Sequence, residues 1–407
     1  MNGTDTNFGE CAVNIKDKTA IVGVGLTDYY RRGQSGAKTH LTLCLEAILK
    51  ACDDAGIKPQ EIDGFASYRD DMNAALVAPA LGAKEVRFSN LVWGGGGGGS
   101  CAAVGNAAAA IHAGYCDVVA IYHGIRQPAG ERFGETFARP PAPGGSGVAS
   151  GRDFIAPYGL MSPGQMFALM VRRHMHLYGT TSEHLGHVAI TQRLHARRNP
   201  KALRRDPMTM DDYFNSRMIS DPFRLFDYCN ENDGAGALIL VSAERARDLK
   251  QKPAYVMGVA QGGAGGWGNS ISQQTMPEEI YATAGHGQLA RDLYKMAGVG
   301  PEDIDVAELY DHFTGMVLLQ LEDYGFCKKG ESGPLAASGA LRWDSGEIPV
   351  NTHGGNLSEV YLHATTHMVE GVKQLRGTST SQVKDAELVL VTGGPSPVPS
   401  SSMILRC

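Results

Sequence analysis

The chain contains a nine-residue pattern twice. Ala55-Gly-Ile-Lys-Pro-Gln-Glu-Ile-Asp63 and Ala297-Gly-Val-Gly-Pro-Glu-Asp-Ile-Asp305 share Ala-Gly, a proline three positions on, and Ile-Asp at the end. Each copy follows an amphipathic stretch with helical spacing, Leu41–Ala51 and Gly287–Met296, and leads into a short apolar run, GFASY and VAELY. Glycine past a helix end and proline just beyond it are stop signals, so each copy reads as helix, turn, strand. A second pair recurs in the same order. A helix ending near Gly114 leads to Asp117-VVAIYHG, and a helix over Tyr361–Leu375 leads, through a polar loop, to Ala386-ELVLVTGG. Each half opens on an apolar run, TAIVGVG and PAYVMGVA. Two recurring element pairs in one order weigh against a helix–turn–strand idiom met by chance. The strands are continuously apolar, as in a sheet covered on both faces.

This duplication predicts an α/β chain of two βαβαβ halves, residues 1–250 and 251–407, meeting at the polar break Lys250-Gln-Lys-Pro253. At 407 residues one ordinary core is too small for the chain, which agrees with two halves. Residues 126–218 interrupt the repeat with a region rich in Gly, Pro, Arg and Met, expected to cover a site rather than build the core. In this register Tyr68 and Tyr310 are equivalent.

Composition bounds the function. A formal charge of −6 argues against a general binder of nucleic acid or anionic membranes. The first residues lack the basic-then-apolar order of a secretion signal, and no apolar run reaches spanning length. The eight cysteines are scattered without CxxC pairs or zinc spacing, so they read as reduced thiols and the chain as cytoplasmic.

The most unusual stretch is LVWGGGGGGSCAAVGNAAAAIHAG, Leu91–Gly114, in which Gly94–Gly99 run into an alanine-rich helix. Glycine admits positive φ and close approach of a ligand, at a cost in chain entropy. A phosphate-binding P-loop would end in Lys-Ser/Thr, which is absent.

Four stretches carry a family signature: RMISDPFRLFDYCNENDGAGALILVS (Arg217–Ser242), AELYDHF (Ala307–Phe313), NTHGGNLSEVYLHA (Asn351–Ala364) and QLRG (Gln374–Gly377). In order and spacing the chain resembles the thiolase superfamily from about Thr19 onward, in particular its sterol-carrier-type thiolases and lipid-transfer thiolase-like proteins. The resemblance implies a five-layer α/β/α/β/α sandwich that dimerises through the N-terminal half. It also makes the departures informative. Counting back from Gly114 by the family spacing puts the nucleophilic cysteine position at Gly98. The histidine or asparagine of the motif written here as ELYDHF is Tyr310, and the histidine after the Gly-Gly turn is Tyr361. After Cys327 the sole cysteine is Cys407.

Two tyrosines, a glycine loop and no nucleophile look like the thiolase-fold aldolases that cleave bacterial steroid side chains. That resemblance implies retro-aldol cleavage of a β-hydroxyacyl-CoA of the 17-hydroxy-pregnene-carboxyl-CoA type, giving a 17-ketosteroid and propionyl-CoA. It further implies a homodimeric core with an OB-fold/zinc-ribbon (DUF35-type) subunit in an α2β2 complex. No cofactor is expected in this chain, zinc being expected only in the partner. Tyr310 and Tyr361 are then the acid and base, with Tyr361 preferred as base. Gly97, Gly98, His353, Gly354, Gly355 and His363 are the expected substrate contacts.

Alternatives remain open on sequence. Cys101 could act as a nucleophile after a loop shift, or be a small buried helix residue. His363 and His367, spaced i, i+4, could hold a metal, or be a satisfied pair. His312 and His353 read as supporting groups. The basic run RLHARRNPKALRR, Arg193–Arg205, could meet CoA phosphates or form a solvated helix face. The competing functions are a thiolase-like acyltransferase or β-ketoacyl-CoA thiolase, and a non-catalytic acyl-CoA carrier or scaffold.

Overall fold

The computed structural model describes residues 14–68, 72–92, 97–127, 132, 156–263, 281–394 and 400–407. Gly94–Gly96 and most of the Gly/Pro-rich part of the insertion lie outside them. The strands are β1 (Thr19–Leu26), β2 (Tyr30–Arg31), β3 (Gly64–Ser67), β4 (Phe88–Leu91), β5 (Val118–Ile125), β6 (Met218–Ser220), β7 (Phe223–Arg224), β8 (Asn232–Ser242), β9 (Ala254–Gly262), β10 (Val306–Glu308), β11 (Leu388–Gly393) and β12 (Ser400–Arg406). The helices that frame them are α1 (His40–Ala55), α2 (Ala74–Leu81), α3 (Ser100–His112), α4 (Pro163–Tyr178), α5 (Ser182–Arg198), α6 (Met210–Asn215), α7 (Gly287–Ala297), α8 (Thr314–Asp323), α9 (Ser332–Ala337), α10 (Gly355–Ser358) and α11 (Thr365–Arg376).

Both halves have the same sheet. In the first, the order is β4-β3-β5-β8-β1, with β3, β4 and β5 parallel and β8 antiparallel to both neighbours. The second reads β10-β11-β12-β9, with β12 antiparallel to both neighbours. A parallel bridge from Ala307 to Val350 stands where β4 stands in the first half. The two sheets are not separate. Ala20 pairs with Tyr255 and Ile21 with Ala254, linking β1 to β9 and the strands into one path of nine, with β2 added at β8 as the tenth strand of the sheet. That seam is only two residue pairs long, so the layers persist.

Helix α1 packs outside β1, β5 and β8, and α7 lies outside β9 and β12. Between the halves, α3 and α11 touch strands of both. A helix with a sheet on each side has no solvent face, which explains the run of small residues in α3. A Cβ at Gly105 would lie 2.7 Å from Val259 Cγ1.

The repeated nonapeptide has a physical reading. Gly56 and Gly298 close α1 and α7 in the left-handed region, at φ 74° and 71°. A 3-10 turn led by Pro59 or Pro301 follows. The aspartates then clamp the next parallel strand. Asp63 accepts from Asp117 N at 3.1 Å and Val118 N at 2.9 Å, and Asp305 accepts from Glu387 N at 2.8 Å and Leu388 N at 2.9 Å.

The described helices of the insertion depart from its expected role. Phe167, Met170 and Val171 of α4, Leu185 and Val188 of α5, and Tyr213 of α6 are buried in one cluster with Leu318 and Leu319 of α8. Helix α5 packs on α8, α9 and α10. The amphipathic faces of these helices therefore extend the second half's core, besides roofing it. Among the described residues no helix is long and apolar enough to cross a membrane.

Replacing Asp63 with Ala removes a charged acceptor from two strand amides and from Arg87 (3.1 Å). Unfolding free energy should fall by about 2–3 kcal/mol, read as a lower urea midpoint. An unchanged midpoint would contradict the clamp.

Candidate active site

The C-terminal ends of parallel strands in open α/β sheets are where ligands bind. Here those ends carry Tyr68 after β3, His123 on β5, Tyr310 after β10 and Thr392 on β11. Three side chains fix the Tyr310 backbone. Its N–H donates to Thr392 Oγ1 at 2.8 Å, Gln320 Nε2 donates to its carbonyl at 2.7 Å, and Asn351 brackets the adjoining Leu309 at 2.7 and 2.8 Å. Thr392 in turn donates to Gln320 Oε1 at 2.6 Å. Asn232, at the start of β8, does the same for Tyr361, accepting from its N–H at 2.7 Å and donating to its carbonyl at 3.1 Å. With both backbones held, the two phenol hydroxyls meet at 3.1 Å. The rings are nearly buried, 1% and 5% exposed. Asn232, Asn351, Gln320 and Thr392 escaped the sequence reading. The Asn-Glu-Asn-Asp-Gly run opening a fully apolar strand was the one available signal for Asn232.

The glycine loop comes down on this pair. Gly97 has φ +95°, and a Cβ there would lie 2.8 Å from both Tyr310 Cε2 and His363 Cβ. Gly98 lies instead against Gly394, whose own Cβ would fall 2.2 Å from Gly98 Cα. Gly97 thus faces Tyr310 and His363, one residue before the position reached by counting along the helix. Gly97 and Gly98 are both held through their backbones. Their carbonyls are tied by Ser100 Oγ (2.6 Å, to Gly97) and Ser401 Oγ (2.7 Å, to Gly98).

His363 stands beside the pair. It has φ +54°, stacks on His123 (4.6 Å between centroids, 10° between planes) and meets the Tyr361 ring edge-on at 5.0 Å. Its Nδ1 lies 3.2 Å from the Tyr68 hydroxyl, so the internal counterpart of Tyr310 also joins the site. The i, i+4 pairing with His367 does not form. Helix α11 starts only at Thr365, and His367 Nε2 goes to Asp311 Oδ1 at 2.9 Å. Among the described residues no three His, Cys, Asp or Glu side chains are grouped to hold a metal ion.

The remaining expected contacts have other business. His353 Nδ1 lies 2.9 Å from Glu308 and its Nε2 3.5 Å from Glu359. Burial alone would lower its pKa, but these carboxylates outweigh that and raise it to about 9. Gly354 and Gly355, at φ 108° and 61°, bend the chain around Asp311. The Asp311 carboxylate accepts from Asn356 N at 2.9 Å and Leu357 N at 3.1 Å. A Cβ on Gly355 would sit 2.1 Å from Asp311 Oδ2, so glycine is required there for the turn. His353, Gly354 and Gly355 brace the segment that presents Tyr361. The basic run is likewise partly structural: Arg193, buried, donates to Ser358 Oγ at 3.1 Å and to the Asp206 carbonyl at 3.2 Å.

Electrostatics separates the groups. Burial, with the Tyr361 hydroxyl beside it, lifts the Tyr310 pKa well above the phenol range, so Tyr310 keeps its proton. His312, next to Tyr310 (5.1 Å between centroids), is held well below the usual imidazole range by burial and by His363 and His286. Cys101 is fully buried, its Sγ 3.7 Å from the Val391 carbonyl, and burial pushes its thiol up to about 12. That is a packing residue and a poor nucleophile. Cys229 packs against the tyrosine pair, and burial raises its thiol too.

Similarity to known proteins places the chain in a family. Residues 263–405 match the thiolase C-terminal domain-like family. The chain is 41% identical over 398 residues to the 17-hydroxy-3-oxo-4-pregnene-20-carboxyl-CoA lyase of Mycobacterium tuberculosis, covering 96% of this chain and 100% of the relative. It is 40% identical to the steroid side-chain-cleaving aldolase of Thermomonospora curvata, over 95% of this chain and 97% of that one. Among solved structures, the Ltp2-ChsH2(DUF35) aldolase superposes with a TM-score of 0.88 at 38% identity, covering 97% of this chain and 98% of that chain. The chain belongs to the thiolase superfamily, in the sterol-carrier and lipid-transfer thiolase-like branch that includes the steroid side-chain-cleaving aldolases.

Proposed function

We propose that this chain is an aldolase that cleaves the side chain of a steroid β-hydroxyacyl-CoA, of the 17-hydroxy-pregnene-carboxyl-CoA type, to a 17-ketosteroid and propionyl-CoA. The observation that carries the reading is the hydroxyl pair, Tyr310 and Tyr361 at 3.1 Å, lying under a loop with a glycine where a thiolase has its nucleophile. Tyr361 takes the proton of the substrate hydroxyl as its own proton passes to Tyr310 across the 3.1 Å contact, so that neither phenol carries more than one proton. The bond between the carbinol carbon and the α-carbon breaks, and its electron pair enters the thioester enolate. The carbinol carbon becomes the ketone. Tyr310, which burial keeps protonated, delivers its proton to the α-carbon and recovers one from Tyr361 across the short contact. Protons balance within the pair.

Gly97, Gly98 and His363 line the thioester side of this pocket, while His353, Gly354 and Gly355 support it from beneath. The similarity to a complex with a DUF35 subunit supports a partner of that kind; in this proposal the partner is an OB-fold/zinc-ribbon subunit that joins a homodimeric core of this chain in an α2β2 assembly. Zinc belongs to that partner in this reading, and the chain itself needs no cofactor. Against a thiolase reading stands the burial and raised thiol of Cys101.

The test is release of ketone and propionyl-CoA with the partner supplied. Tyr310→Phe and Tyr361→Phe should each lower kcat by about 10²–10⁴-fold and leave KM nearly unchanged. Wild-type turnover in both would leave the carrier or scaffold reading standing. Gly97→Ala puts a methyl against Tyr310 and His363 at an unfavourable φ. It should cost about 1–3 kcal/mol of stability and most of the activity, seen in thermal melts beside the assay. Cys101→Ala should retain wild-type kcat; loss of turnover would favour the acyltransferase alternative.

A further inference from the structure

His312 is 6% exposed, and neither ring nitrogen has a hydrogen-bond partner among the described residues. That sets it apart from its neighbours. His286 bridges Tyr324 and the Gly394 carbonyl, His367 binds Asp311, and His363 meets Tyr68. The His312 ring is packed by carbon instead. Phe167 of α4 meets it edge-on at 4.5 Å, Phe313 at 4.6 Å, and Tyr310 lies on it at 5.1 Å. A buried polar group without a partner is unfavourable in the free protein, and an apolar residue would fill this space at less cost. The insertion helix that supplies Phe167 holds the ring at this orientation and excludes water from it.

We propose that His312 is a catalytic residue whose imidazole N–H donates a hydrogen bond to the thioester carbonyl oxygen of the acyl-CoA and takes up the enolate charge that develops there. The placement follows from Tyr310. If Tyr310 protonates the α-carbon, the thioester oxygen is two bonds from that carbon, within the span of the His312 ring, whose centroid lies 5.1 Å from that of Tyr310. Burial keeps the imidazole neutral, so it has one N–H to donate and carries no charge that would bind the ground state indiscriminately. A donor fixed before the reaction needs no reorganisation as charge appears, which is what makes such groups effective. The inference rests on the aldolase reading and adds the electrophilic group that the two tyrosines lack.

The experiment compares the full chain, with its partner, as wild type, His312→Phe and His312→Gln. Three measurements are made: thermal midpoint without substrate, steady-state cleavage, and exchange of the α-hydrogens of propionyl-CoA in D2O. His312→Phe should melt at or above the wild-type temperature, because an unpartnered polar ring is replaced by an apolar one. Its kcat and its exchange rate should both fall by about 10²–10³-fold, with KM little changed. His312→Gln, which keeps an N–H donor, should recover a large part of both rates. A lower melting point or misfolding in His312→Phe would mean the imidazole is structural and would overturn the proposal. So would wild-type exchange in that variant. Wild-type protein that neither cleaves the steroid thioester nor exchanges propionyl-CoA would instead overturn the aldolase reading itself.

Discussion

Two backbones touch at the centre of this protein without a side chain between them. Gly97 and Gly98, entering α3 from the first half, lie against Gly393 and Gly394, leaving β11 in the second. A Cβ on Gly394 would meet Gly98 Cα at 2.2 Å, and one on Gly393 would meet the Gly97 carbonyl oxygen at 3.0 Å. Any larger residue would push the halves apart at the level of the active site. The hydroxyls of Ser100 and Ser401 and the imidazole of His286 then satisfy the carbonyls of Gly97, Gly98 and Gly394. The entropy cost of the glycines is offset by this contact, which brings Gly97 down onto the Tyr310 ring.

Around that contact the duplicated fold supplies rigidity from each side. The Asp63 and Asp305 clamps start the parallel strands β5 and β11, whose far ends carry His123 and Thr392 into the site. Thr392, Gln320 and Asn351 hold the Tyr310 segment, and Asn232 holds Tyr361. Each tyrosine is therefore positioned by groups from elements remote in sequence. Two phenol oxygens can stay at hydrogen-bond distance only if neither backbone can drift, and a loss of about 1 Å in such a geometry is costly to catalysis.

Much of this was legible in the chain itself. The nonapeptide repeat gave the two halves because its glycine, proline and aspartate each meet a local backbone requirement, and local requirements are written locally. Tyr310 and Tyr361 were found through family motifs rather than through chemistry. Burial and mutual contact, which single them out, are tertiary facts. The places where geometry and sequence position diverge have the same origin. His353, Gly354 and Gly355 are neighbours of Tyr361 in sequence, but the turn they form faces Glu308 and Asp311. His363 and His367 have helical spacing, yet the helix begins between them, with His363 at φ +54°. The insertion looked like a cover because its Gly and Pro content hid the apolar faces of α4 and α5. Gly97 and Gly98 could not be told apart by counting through six identical residues.

The tyrosine substitutions make sense as a change in where the proton must travel. A thiolase forms a bond to sulfur and needs a nucleophile with histidine-type partners to charge and discharge it. Retro-aldol cleavage creates no such intermediate. Its net change is one proton moved from a hydroxyl oxygen to an α-carbon while a carbon–carbon bond opens. Two phenols in contact can take that proton at one end and release it at the other. On the proposed mechanism burial suits Tyr310 to its part, since it keeps that phenol protonated at neutral pH while leaving it hydrogen-bonded to Tyr361. Removing the side chain at position 97 is then part of the same adaptation. A side chain at Gly97 would collide with the Tyr310 ring and with His363, each 2.8 Å from its Cβ, so on the proposed mechanism a bare backbone there belongs with the two tyrosines.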